Sequence, residues 1–150
     1  MWTSKALLLV HAVSAGVLVG SSTHLGLQSL ALVRGAVRAR LLRLYPPVAL
    51  TAWAVTFAVG AWIYPRYRID VRDAYLDDHA VWASVLFDIK ENLAVFVGPL
   101  LAAAWWMAPA VIEDAEPARR RWFMAVCLVA AGISWWNMLS GLLVGSVRSV

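Results

Sequence analysis

The chain has 150 residues, 62% of them hydrophobic and 15% charged, with a mean hydropathy of +0.71 and a formal charge of +4. Soluble domains are about half apolar and a quarter charged, so this composition excludes a soluble enzyme, a disordered tail, a secreted disulfide scaffold and a nucleic-acid module. Cys127 is the only cysteine, which also excludes an internal disulfide and a CxxC thiol motif.

Four stretches, 6–33, 44–65, 92–112 and 122–147, contain no Asp, Glu, Lys or Arg. Each is long enough to cross a hydrocarbon core of about 30 Å. The expected fold is all-α, an integral membrane four-helix transmembrane bundle forming one domain, with spans at about 5–33, 46–64, 79–107 and 122–146. The first apolar run is too long for a cleaved signal peptide and reads as a retained first span. Lys5 stands alone before it, whereas Arg34, Arg38, Arg40 and Arg43 follow it and Arg119, Arg120 and Arg121 precede the last span. The positive-inside rule then places both termini outside a bacterial inner (cytoplasmic) membrane. The arginines face anionic headgroups, and the lipid bilayer rather than nucleic acid is the expected partner.

In chain order, helix one covers Lys5 to Val33, and the basic linker after it is either an amphipathic turn or short helix in the inner interface or a plain loop. Helix two is expected from Pro46 or Pro47 to Tyr64, with Pro65 as its stop. The segment 65–78 alternates charged and apolar residues and reads as an ordered interfacial loop. Asp77 or Asp78 is expected to cap helix three, which runs to about Met107 with a kink at Gly98-Pro99. Helix four follows from Trp122 to about Ser146. Trp2, Trp62, Trp82, Trp105, Trp106 and Trp122 fall at proposed span ends, as interfacial tryptophans do. Trp135 and Trp136 fall mid-span beside Asn137, where an indole N–H needs a partner.

On helix one, His11, Ser14, Ser21, Gln28 and His24 share one arc of about 140°, with Gly16 and Gly20 beside it. That arc is expected to face other helices, and the GxxxG pair to admit a close neighbour. His11 and His24 lie roughly 20 Å apart along the axis. This spacing resembles the paired histidines on the haem-bearing helices of membrane cytochromes b. The resemblance implies haem b, with His79 as the remaining candidate ligand and a His–Met pair through Met138 or ligation across a homodimer as alternatives. The competing reading makes both helix-one histidines hydrogen-bonded packing groups.

Helix three places Asp88, Lys90, Glu91 and Asn92 within or beside the span, and ionisable groups there are functional candidates. Lys90 is expected to snorkel to the headgroups, and Glu91 to pair with Arg68 or Arg72 or to meet a helix-one histidine. A carboxylate–His relay of this kind suits a proton pathway or a quinone pocket; otherwise the charges mark the edge of the span. Tyr64-Pro65-Arg66-Tyr67-Arg68 through Arg72, with Phe87 to Asn92, resembles a pattern in small, uncharacterised bacterial inner-membrane proteins. That resemblance implies a four-helix fold and no activity, and it sets a histidine where this chain has Asn92.

No Walker loop, HExxH, GxSxG or zinc-type cluster occurs, so no catalytic motif is complete. The sequence supports three functions: an accessory or assembly subunit working with other membrane subunits or as a homo-oligomer; a b-type haem or quinone-linked electron carrier; and a small transporter or proton pathway. The polar residues at issue are His11, His24, His79, Arg68, Arg72, Asp88, Lys90, Glu91, Asn92 and Asn137.

Overall fold

The computed structural model describes residues 2–114 and 116–147, and side chains from Lys5 onward. It contains four long helices: α1 (Trp2–Val33), α2 (Ala39–Tyr67), α3 (Val81–Glu113) and α4 (Pro117–Val147). Arg68–Leu76 continues α2 as a π-helix, and a single turn, Asp77–His79, leads to α3. There is no strand among the described residues. Each long helix has the length and apolarity to cross a membrane, as expected of a multi-pass membrane protein. The side chain of Trp2, expected at an interface, lies outside the described ones.

The helix ends depart from the sequence expectation for identifiable reasons. α2 begins seven residues before Pro46, because Leu41 and Leu42 N–H both bond to the Arg38 carbonyl and Leu42 is fully buried. Burial of that turn outweighs the two backbone bonds that Pro46 and Pro47 remove. Nor does Pro65 stop the helix, since Tyr67, two residues on, is buried in the loop-end core. The expected interfacial loop is therefore mostly helical. Asp77 and Asp78 do not cap α3, which starts after Ala80, a non-helical residue with φ −149° and ψ 56° and no side-chain cap. α3 also passes through Pro99 and Pro109 and ends at Glu113, beyond the expected Met107.

The α1 to α2 reversal uses Gly35, at φ +91° the one left-handed residue described. Ala36 N–H bonds to Ala31 O and Gly35 N–H to Leu32 O, the Schellman arrangement that closes helix ends. The helices then pack in a ring, α1 on α2, α2 on α3, α3 on α4 and α4 on α1. The two diagonals bring no described Cα pair within 8 Å. One end of the bundle carries the arginines of 34–43 and 119–121 and is called the basic end; the other, holding the π-helix, is the loop end.

In lipid, close packing of small residues replaces hydrophobic expulsion as the main force between helices. Ala49, Ala104, Ala108 and Ala130 are correspondingly buried in the main core with Leu25, Leu32, Leu101 and Phe123. The tightest fit is Trp53 of α2 against Gly98 of α3. A Cβ on Gly98 would lie 2.6 Å from Trp53 Cζ2 and Cζ3, while Trp53 Nε1 donates to Ala94 O at 2.9 Å, one turn away. This contact accounts for Gly98 independently of any kink.

Gly98→Ala gains up to about 1 kcal/mol of helix propensity but overpacks the Trp53 ring, at a cost of about 1–3 kcal/mol. The expected result is a lower thermal midpoint in mild detergent. In a Trp53→Leu background the same change should be neutral or stabilising, a sign reversal that a double-mutant cycle measures.

Candidate functional site

Most of the sequence-selected polar residues collect at the loop end. The π-helix turns Arg72 toward α3, where its guanidinium grips Asp88 with both arms at 2.6 and 3.1 Å and reaches Asp77 Oδ1 at 3.3 Å. Fork-to-carboxylate pairing of this kind fixes geometry as well as charge. Below it, Phe87 stacks on Tyr67 and Tyr64 with ring centroids 4.3 and 6.1 Å apart. Tyr64 and Tyr67 with Arg72 on one side, and Phe87-Asp88 on the other, are thus two halves of one contact.

Glu91 pairs with neither Arg68 nor Arg72, contrary to expectation, because Arg72 is committed to Asp88 and Asp77. The side chains of Arg68 and Asn92 lie exposed without hydrogen bonds among the described residues. Lys90 lies back against the bundle. Its Nζ sits 4.5 Å over the Phe87 ring, and its Cε lies 3.6 Å from where a Cβ on Gly141 would be, so the stem fills the α3–α4 seam. The Phe87 face offers the ammonium a cation–π contact in place of water.

His11 lies across the bundle and is half-buried. Its Nδ1 is 3.0 Å from Thr56 O, and because a carbonyl only accepts, Nδ1 carries the proton and neutral His11 keeps a bare Nε2. Gly60 makes room for the ring, since a Cβ there would be 3.1 Å from His11 Cε1. Thr56 Oγ1 lies 2.9 Å from Ser14 Oγ, extending the polar seam between α1 and α2. His11 makes no hydrogen bond to Glu91. Lys90 is near enough to act on it electrostatically.

The other histidines stand apart. His24, at the edge of the polar arc beside Gly20, is exposed and stacks on Tyr45 of α2 at 5.3 Å, so it meets the neighbouring helix at the bundle's surface and not in its interior. His79 is exposed, stacked on Tyr75 at 4.6 Å, with Nδ1 3.1 Å from Tyr75 O. No two of the three histidines touch among the described residues. No group of three or more His, Cys, Asp or Glu able to hold a metal ion occurs there either. His11 and His24, thirteen residues or about 20 Å apart on one helix, cannot share one haem iron within one chain.

On α4, Trp135 Nε1 donates to Thr23 Oγ1 at 2.9 Å, so its mid-span indole has a partner on α1. Asn137 Nδ2 turns back to Ile133 O at 2.9 Å. Ser134 also bonds within its own helix, to Ala130 O. Two hydroxyls at the loop end, Tyr67 OH and Ser84 Oγ, are buried without a protein partner, the situation that buried water ordinarily resolves. Trp53 escaped the sequence reading; a glycine at the matching depth on α3 was the available signal.

Comparison with known proteins identifies no relative: no family model, curated protein or solved structure matches the chain.

The Arg72–Asp88 pair is partly exposed, with side-chain exposures of 23% and 45%. Solvent screening therefore limits its coupling to about 1 kcal/mol. Arg72→Gln and Asp88→Asn should each lower stability, and the double variant should recover that coupling in a denaturation cycle. Gly60→Ala should shift the His11 imidazole NMR resonances and leave those of His79 unmoved.

Proposed function

We propose that the chain is an accessory or assembly subunit of a larger complex in a bacterial inner membrane, with both termini outside. The observation that carries this reading is the outward face of α1. Gly16 and Gly20 are exposed there and would have no atom within 4 Å of an added Cβ, so no helix of this chain uses the close approach that the pair permits. His24 lies one turn further along the same face, and neither ring nitrogen has a hydrogen bond among the described residues. A polar ring facing hydrocarbon is costly unless another protein supplies its partner. Alongside lies a groove of about 730 Å³ between α1 and α2, walled by Val13, Val17, Val48 and Val55.

The internal polar contacts support the same reading. Arg72–Asp88, His11–Thr56, Trp53–Ala94 and Trp135–Thr23 all tie neighbouring segments of the bundle together. They use as structural ties most of the groups a reaction centre would need.

In mild detergent the protein should migrate in an assembly larger than its own 16.5 kDa. Gly16→Ile with Gly20→Ile should release it as a single chain of unchanged helix content. A wild-type chain that is already single in the membrane, shown by absent cross-linking from Val17→Cys, overturns the proposal.

The b-type haem or quinone-linked carrier is the second reading, and what favours it is His11. An imidazole whose Nδ1–H is held by a carbonyl presents Nε2 as metal-ligating histidines do. An oxidised-minus-reduced spectrum of protein from haem-replete cells decides: a haem band abolished by His11→Ala supports it. Colourless, folded protein removes haem.

A further inference from the structure

The basic end carries a charge imbalance that goes beyond the accessory-subunit reading and does not depend on it. Segments 34–43 and 113–121 hold seven arginines and three acids. All three acids are taken: Glu113 lies 3.8 Å from Arg43, and Arg119 holds both Asp114 at 2.8 Å and Glu116 at 3.4 Å. Arg34, Arg38, Arg40, Arg120 and Arg121 have no ion pair among the described residues.

Two of these five line a small pocket between the last residue of α1 and the first of α4. Val33, Pro117, Arg120 and Arg121 enclose about 150 Å³, room for a compact group and well short of the 300–1,000 Å³ of drug-sized sites. Arg120 Nε is buried within the protein without an acceptor, and neither Arg120 nor Arg121 has an ion pair among the described residues. A guanidinium that lines a pocket and is not taken by a protein carboxylate takes a phosphate oxygen with charge assistance. The first turn of α4 adds the positive end of its dipole to the same place.

The surroundings select the kind of phosphate. Trp122 follows Arg121 directly and is 70% exposed, and Leu128 and Val129 continue an exposed apolar wall along α4. Tryptophan at such a position marks the junction of headgroup and acyl chain. We infer that the pocket between Val33, Pro117, Arg120 and Arg121 binds the phosphodiester of an anionic phospholipid, whose acyl chains lie along α4. The two pocket arginines supply the phosphate contact, and Arg34, Arg38 and Arg40 supply the long-range attraction that favours an anionic over a zwitterionic lipid.

Native mass spectrometry of the full chain in mild detergent tests this, with phosphatidylglycerol, phosphatidylcholine or inorganic phosphate as the added probe. One phosphatidylglycerol should be retained roughly fivefold more tightly than phosphatidylcholine, whose choline cancels the headgroup charge that Arg34, Arg38 and Arg40 attract. Arg120→Gln with Arg121→Gln should weaken retention of both lipids roughly tenfold, the scale of one lost charge-assisted contact, while Arg68→Gln at the loop end leaves it unchanged. Should the double variant fail to fold by circular dichroism, Arg120→Lys, which keeps the charge and loses the fork, should still weaken retention several-fold. Equal retention of the two lipids overturns the inference, as does full retention by the pocket variants. Displacement of the lipid by millimolar inorganic phosphate also overturns it, by making the site one for free anions.

Discussion

Most of this bundle's polar contacts answer to one constraint: a polar group taken into the apolar slab is costly unless it finds a partner inside the protein, because lipid supplies none. The serines of α1 and α4 meet it locally. Ser21, Ser22, Ser29 and Ser134 each turn back onto a carbonyl three or four residues earlier in their own helix. His11, Trp53 and Trp135 have no such local solution, and each reaches a neighbouring helix. The helix pairing therefore rests on a few directed bonds set among many undirected alanine and leucine contacts.

The same constraint divides the molecule into zones. Toward the middle and the basic end the core is made of Leu25, Leu32, Leu42, Leu101 and Phe123 with intervening alanines. At the loop end aromatic stacking and the Arg72 fork take over, and helical winding continues past Pro65 as a π-helix. A π-helix there lets Val71 and Leu76 enter the second core cluster while Arg72 reaches α3. Charge is handled differently at the two ends: the loop end pairs Arg66 and Arg72 with aspartates, whereas the basic end leaves five arginines without an ion pair.

The four spans were legible because uncharged apolar runs of this length fit little besides a helix that crosses a membrane. Their ends were not. Proline rules predicted a start at Pro46 and a stop at Pro65, and tertiary burial of Leu42 and Tyr67 overrode both. Helical periodicity correctly turned Ser21 and Gln28 inward but could not decide His24, which sits where the polar arc meets the glycine face. The FDIKEN cluster was visible as an anomaly, yet which acid Arg72 would choose depended on the winding of residues 68–76, which no local pattern announces. Lys90 shows the same limit: its destination required knowing that Phe87 and Gly141 stand beside it.

The ring of helices has a consequence for how such a chain is built. With no diagonal contacts, it consists of two sequential hairpins, α1–α2 and α3–α4, laid side by side. The His11 to Thr56 bond lies within the first hairpin and can form as soon as that hairpin is inserted. The bonds of Trp53 to Ala94 and of Trp135 to Thr23 bridge the hairpins, and the Arg72 to Asp88 pair ties the connecting segment to the second. Until the second hairpin arrives, Trp53 and Thr23 lack the partners it brings. A first hairpin translated alone is thus an incomplete surface, and closing it is the step that commits the chain to this fold.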